Sequence, residues 1–183
     1  MGQELPITSY ALLGLLTFGD ELTGYELKRR ADATLRFYWV SPAMSQVYSE
    51  LARLTELGLV ARVGEDPGAG RGARYGITET GRKELRTWMS TTPAGFAVLK
   101  HPVALRLLLG HVVDPSTTKG MLRDHLVALD DERAALDEVR KSLEGADGPG
   151  EAFRYPSLVA DWGLDYFANE RRMIGRASCR ERV

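Results

Sequence analysis

Residues 41–53, SPAMSQVYSELAR, hold Ser41, Ser45, Gln46, Tyr48 and Ser49, all able to make hydrogen bonds outward from one short segment. Val47, Leu51 and Leu54 fall at i, i+4 and i+7, which puts them on one side of a helix and the polar groups away from it. Gln46 can offer its amide oxygen and nitrogen together, a pairing that suits an adenine edge, while Ser45 and Ser49 can bond a base edge or a phosphate. Ser41 followed by Pro42 predicts an N-cap and a residue preset for the first helical position. Tyr48 brings a ring and a hydroxyl, equally at home against nucleic acid or in a half-buried core. The cations suited to phosphate are Lys28, Arg29, Arg53, Arg71 and Arg74, Arg as a planar fork and Lys as a point charge.

Other constellations carry less. Gly68-Ala69-Gly70-Arg71-Gly72-Ala73 fits G-x-G-x-x-A, but Arg74-Tyr75-Gly76-Ile77 continues it as a strand, whereas a dinucleotide site needs a helix there. His101, His111 and His125 are ten and fourteen residues apart, a spacing that forms no known ligand motif, and read as helix-surface or interface residues. Asp130-Asp131-Glu132 fan out around a helix and so make no paired acid and base. Cys179 is the single cysteine, which excludes a disulfide framework and a multi-cysteine zinc site. No nucleophile, base and orienting group converge in a motif, so neither an enzyme nor a cofactor is expected.

The elements that must carry these residues follow from pattern. Ile7 to Leu16 is dense in helix-forming apolar residues and closes at Gly19. Thr23 can cap a second helix through Leu27 and Ala31, and the helix begun at Ser41 should end at Gly58. The period then changes to two: Leu59, Ala61 and Val63, and later Ala73, Tyr75 and Ile77, alternate with their neighbours as two strands. Residues 65–72 between them are turn chemistry throughout, a hairpin with a long tip. Thr78 caps a fourth helix carrying Leu85, Trp88 and Met89, stopped at Thr92-Pro93. Three helices, a hairpin and a further helix compose a winged helix-turn-helix.

Beyond Pro93 the chain reads as long helices. Val98 to Leu109 is one, and Asp114-Pro115 starts another that lasts to about Gly145, with Leu122, Leu126, Leu129, Leu136 and Leu143 on a seven-residue beat broken by Arg133 and Arg140. A last helix sets Val159, Trp162, Tyr166 and Met173 on one side, broadened by Leu164, Phe167 and Ile174. These two helices either pack on each other or meet a second subunit. An aromatic groove near Trp162, Tyr166 and Phe167 is also a candidate pocket for a small apolar or aromatic ligand. After Gly175 the apolar rhythm stops, as in a mobile tail or cloning scar.

The net charge of −1 puts a condition on this reading. Residues 1–92 hold 2 Lys and 9 Arg against 11 acidic residues, so a phosphate-binding face must be gathered by the fold rather than supplied by composition. The alternative is a winged-helix scaffold that holds proteins together without DNA. No run approaches the roughly 18 apolar residues of a membrane span. The opening Met1-Gly2-Gln3-Glu4 lacks the basic start of a secretory signal, which predicts a cytoplasmic protein without membrane contact.

Ser41-Pro42, Val47-Tyr48, Leu51, Leu54, Leu57-Gly58-Leu59-Val60, Arg71 and Arg74-Tyr75-Gly76-Ile77-Thr78-Glu79-Thr80-Gly81, followed by Leu85 and Trp88, resemble the signature of the PadR family of transcriptional regulators. Leu99-Lys100-His101-Pro102 and residues 155–174 resemble the longer C-terminal domain of one branch of that family. The resemblance implies a repressor that dimerises through its C-terminal helices, holds a double-stranded operator and releases it when a small molecule binds. The fold class expected is mainly α with a small β-hairpin. A winged helix-turn-helix domain would occupy residues 1–92, a helical dimerisation and effector domain 93–174, and a tail 175–183. Leu122, Leu126, Leu129, Leu136, Trp162, Tyr166 and Phe167 are then the residues expected to serve the homodimer or the effector.

Overall fold

Apolar residues crowd the first helix, α1 (Ile7–Leu15), so thickly that Tyr10, Leu12, Leu13 and Leu15 are all buried. It forms the centre of the first of two compact units, Met1–Gly95 and Phe96–Val183. The computed structural model describes residues 5–19, 21–64, 72–96 and 100–180, with backbone alone for 178–180.

In the first unit β1 (Leu22–Thr23) leads into α2 (Gly24–Thr34), then come α3 (Met44–Glu56), β2 (Val60–Val63), β3 (Arg74–Ile77) and α4 (Glu79–Thr91). Thr23 caps α2 as expected: its hydroxyl accepts the Glu26 N–H at 3.1 Å while the Glu26 carboxylate accepts the Thr23 N–H at 2.8 Å. Thr78 caps α4 likewise, accepting the Gly81 N–H at 3.0 Å. Gly58, at φ +67°, takes the left-handed turn that ends α3 and redirects the chain into β2. The hairpin gains a strand that the sequence pattern did not predict, because β1 is only two residues long. The antiparallel order is β1-β3-β2, with Tyr75 between Leu22 and Arg62. Leu12, Leu13, Leu27, Val47, Leu51 and Leu54, all fully buried, bind the helices and sheet into one core.

The second unit holds α5 (Pro102–Leu108), α6 (Pro115–Ser142) and α7 (Arg154–Arg180). α5 starts four residues later than expected, where His101 accepts the Ala104 N–H and Pro102 takes the first helical position. Asp114 caps α6, accepting the Ser116 and Thr117 N–H groups at 3.0 and 3.2 Å. The expected tail at Gly175 needs correction, since α7 runs on to Arg180 and Ala177 packs beside Val103, Leu122 and Ile174. Arg140, which breaks the leucine beat, is anchored by Asp161 at 2.7 Å and Asp147 at 3.2 Å. No helix among the described residues is long and apolar enough to cross a membrane.

Candidate nucleic-acid interface

α3 is two-sided. Val47, Leu51 and Leu54 are fully buried, whereas Ser45, Gln46, Tyr48 and Ser49 are exposed. Its start lies two residues beyond the sequence expectation: Ser41 is not the N-cap, because its hydroxyl donates to Asp32 at 2.6 Å and ties the loop to α2. Gln46 does the capping instead, its Oε1 accepting the Ala43 N–H at 2.9 Å. That leaves the Gln46 amide nitrogen to donate outward and one lone pair on the oxygen. Ser49 donates to the Gln46 carbonyl at 3.0 Å. The ring of Tyr48 lies over Gly24 at the start of α2. Behind the helix, the buried Ser9 hydroxyl of α1 donates to Glu50, fixing α3 against the core, and Arg53 sits 3.8 Å from the same carboxylate.

The five expected phosphate ligands are in unlike states. Lys28 donates to Asp32, so its charge is met within the fold. Lys28 first and Ser41 second hold the Asp32 carboxyl below its ordinary range. Arg74 donates to the Glu21 carbonyl and stands 3.6 Å from Glu26. The Glu26 pKa is depressed by its bonds to Thr23 first, with Arg74 and Arg29 adding to them. Arg29 and Arg53 are exposed. Arg71 lies outside the described residues, as does most of the hairpin tip. Asp32, Glu26, Glu21 and Glu50, which set the direction of these cations, were not singled out from sequence, although the i, i+4 spacing of Lys28 and Asp32 and the i, i+3 spacing of Glu50 and Arg53 signal pairs.

In the second unit the expected dimer and effector residues part company. Leu122, Leu129 and Leu136 are buried, and Leu126 is partly so, in a core shared with α7. Gly163 of α7 approaches so closely that a β-carbon there would stand 2.7 Å from Leu136 Cδ2. The seven-residue beat is thus satisfied within the chain. Phe167 also joins this interior, whereas Trp162 and Tyr166 point out, their rings 6.4 Å apart. The ring of Tyr166 also meets that of Phe167 edge to face, 6.0 Å between centroids, so the three rings run in series from the exposed Trp162 to the buried Phe167. The histidine reading is corrected as well: His111 is exposed, but His101 and His125 are partly buried and both meet Glu170.

Comparison with known proteins assigns residues 12–87 to the model of the transcriptional regulator PadR-like family. No curated protein matches the chain. Among solved structures, Bacillus subtilis PadR in complex with operator DNA superposes with a TM-score of 0.82 at 22% identity, over 96% of this chain and 99% of that one. The same regulator in complex with p-coumaric acid gives a TM-score of 0.77 at 22% identity, with the same coverage of 96% and 99%. The Vibrio cholerae virulence activator AphA gives 0.72 at 20% identity, over 94% of this chain and 96% of that one. These likenesses establish a shared fold along nearly the whole chain.

Proposed function

We propose that this chain, which belongs through residues 12–87 to the PadR-like family of transcriptional regulators, acts in the cytoplasm as a homodimer that binds a double-stranded operator and releases it to a small aromatic ligand. One observation carries the DNA reading: α3 is sealed along Val47, Leu51 and Leu54 and open along Ser45, Gln46, Tyr48 and Ser49. In a helix-turn-helix the N-terminal part of the second helix enters the major groove, and here that part holds Ser45, Gln46 and Ser49. Gln46 reads a base edge, the serines bond bases or phosphates, and Tyr48 adds a ring held in place by Gly24. Arg29 and Arg53 supply phosphate contacts, and Arg71, outside the described residues, is a further candidate by its residue type. Because acidic neighbours occupy Lys28 and Arg74, the electrostatic share of binding is modest, and a second half-site makes up the affinity.

The dimer reading rests on α7. Tyr155, Val159, Trp162, Tyr166 and Met173 recur at intervals of four, three, four and seven residues, and all are exposed. Such a stripe is the seam of a helix that packs on another, and a second copy brings the same stripe to meet it. Trp162 and Tyr166 are the residues left available to a partner or an effector, while Leu122, Leu129, Leu136 and Phe167, with Leu126 packed beside them, serve the chain's own core. The effector reading is supported by the p-coumaric acid complex of the Bacillus subtilis relative and by the aromatic pair on α7.

Fluorescence anisotropy with duplexes from the promoter of its own and neighbouring genes, across a salt series, tests this. A preferred sequence whose affinity falls with salt is expected; equal binding to a scrambled duplex overturns it. Tryptophan quenching by phenolic acids, with operator release at matching concentrations, tests the effector.

A further inference from the structure

We infer that His101, His125 and Glu170 bind one divalent transition-metal cation of borderline softness, of which zinc is the type. The three residues come from three helices of one unit: His101 caps α5, His125 lies in α6 and Glu170 in α7. His101 Nε2 is 2.7 Å and His125 Nε2 2.8 Å from the same oxygen, Glu170 Oε1. One ligand atom from each residue lies within 4.8 Å of the other two. Two imidazole nitrogens and a carboxylate oxygen are a donor set of zinc sites that keep a fourth position open for water or a ligand. Tetrahedral bonds of that kind hold ligand atoms about 3.3 Å apart, so each nitrogen withdraws from the carboxylate by about half an ångström.

The surroundings match a site more closely than a chance ion pair. Glu170 is among the few polar side chains buried in the described residues, and its side chain is 11% exposed. The two imidazole rings lie 6.0 Å apart between centroids, edge to face, and both turn Nε2 to the same Glu170 oxygen. There is one opposing effect. His101 Nδ1 accepts the Ala104 N–H at 3.2 Å, so the free protein keeps its proton on Nε2, aimed at Glu170. A cation on Nε2 moves that proton to Nδ1 and breaks the cap, which lowers affinity about fivefold and loosens the first turn of α5.

The site requires nothing of the DNA-binding reading, and its test is separate. The full chain carrying Cys179→Ser, dialysed against chelator, is titrated with Zn²⁺ by calorimetry and with Co²⁺ by visible absorption. One cation per chain and the visible bands of four-coordinate cobalt are expected. His125→Asn and Glu170→Gln should each weaken binding about a hundredfold, and His111→Asn should leave it unchanged. Nitrogen NMR of the unmutated histidines gives a readout free of any folding defect: Zn²⁺ should move Nε2 of His101 and His125 and spare His111. No saturable uptake, uptake indifferent to His125→Asn and Glu170→Gln, or shifts confined to His111 would each mean an adventitious ion only, and overturn the site.

Discussion

The ring of Tyr48 rests on Gly24, so close that a β-carbon at residue 24 would stand 2.5 Å from Cε1 and 2.8 Å from Cζ. Gly24 is the first residue of α2 and Tyr48 belongs to the outward side of α3, so this contact sets how the ring faces outward. Gly24→Ala should displace the Tyr48 ring, which is exposed and free to swing, at a cost of no more than about 1 kcal/mol. In a Tyr48→Ala background the same change should be neutral or slightly stabilising, a coupling of about 0.5–1 kcal/mol measurable by urea denaturation of all four proteins. An unchanged cost in that background would mean the ring is not what Gly24 accommodates.

Gln46 has two tasks, and one substitution separates them. Its Oε1 caps α3 by accepting the Ala43 N–H, a role a glutamate fills equally well. Facing DNA, however, a carboxylate only accepts, so Gln46→Glu should keep thermal stability while moving preference at one operator position from adenine towards cytosine. Gln46→Ala should lose about 1 kcal/mol of stability together with discrimination at that position. Selection from randomised duplexes reads the base preference; an identical preferred sequence for wild type and Gln46→Glu would remove Gln46 from the interface.

At Gly81 the obstacle is backbone. A β-carbon there would lie 2.1 Å from the Leu59 carbonyl oxygen, which already accepts the Thr78 N–H at 3.0 Å. Neither partner can move without parting α4 from the sheet. Gly81→Ala should therefore lose about 3 kcal/mol. Gly14→Ala, on a helix with nothing within 4 Å of the new atom, should gain about 0.5–1 kcal/mol. Thermal melts that fail to separate the two variants in this direction would contradict the close approach.

Gly81 was legible in the sequence only as part of a resemblance, and the same division runs through the molecule. Local signals read well: Thr23, Thr78 and Asp114 cap the helices they should, and the period change after Gly58 marks the sheet. What failed were features set by distant residues. Ser41 resembles an N-cap until Asp32, nine residues back, takes its hydroxyl. The leucine beat of α6 does not say whether its partner is another subunit or α7 of the same chain. His101, His125 and Glu170 are spread over 70 residues, and only the packing of three helices brings them together.

The cap of α6 makes a pH prediction. Asp114 accepts from Ser116 and Thr117 through both side chains and backbone, with the Ser116 hydroxyl foremost, and its pKa falls from the ordinary 3.8 to about 2. A carboxylate with a depressed folded pKa adds stability above its unfolded value, and that contribution is lost as pH falls through the folded one. Wild type should thus exceed Asp114→Ala in stability at neutral pH, with the gap closing between pH 3.8 and about 2. Denaturation curves across that range check it; a gap independent of pH would show that the charge plays no part.

Trp162 and Phe167 are five residues apart on α7 and should behave in opposite ways. Phe167 is 9% exposed, so Phe167→Ala removes a ring from the unit's own interior and should cost about 3–5 kcal/mol. Trp162 is 63% exposed, in a stripe with Tyr166 and Met173, so Trp162→Glu takes little from the folded chain. What it does is place a charge where a second copy would lay the same stripe, and a buried unpaired carboxylate is strongly unfavourable. Sedimentation should then show wild type as a dimer and Trp162→Glu as a monomer of unchanged helical content. Because dimerisation raises apparent stability by mass action, wild type alone should melt at a temperature that rises with concentration. If Trp162→Glu sediments as wild type does, the stripe on α7 is not the seam between subunits, and the two-fold reading of the operator falls with it.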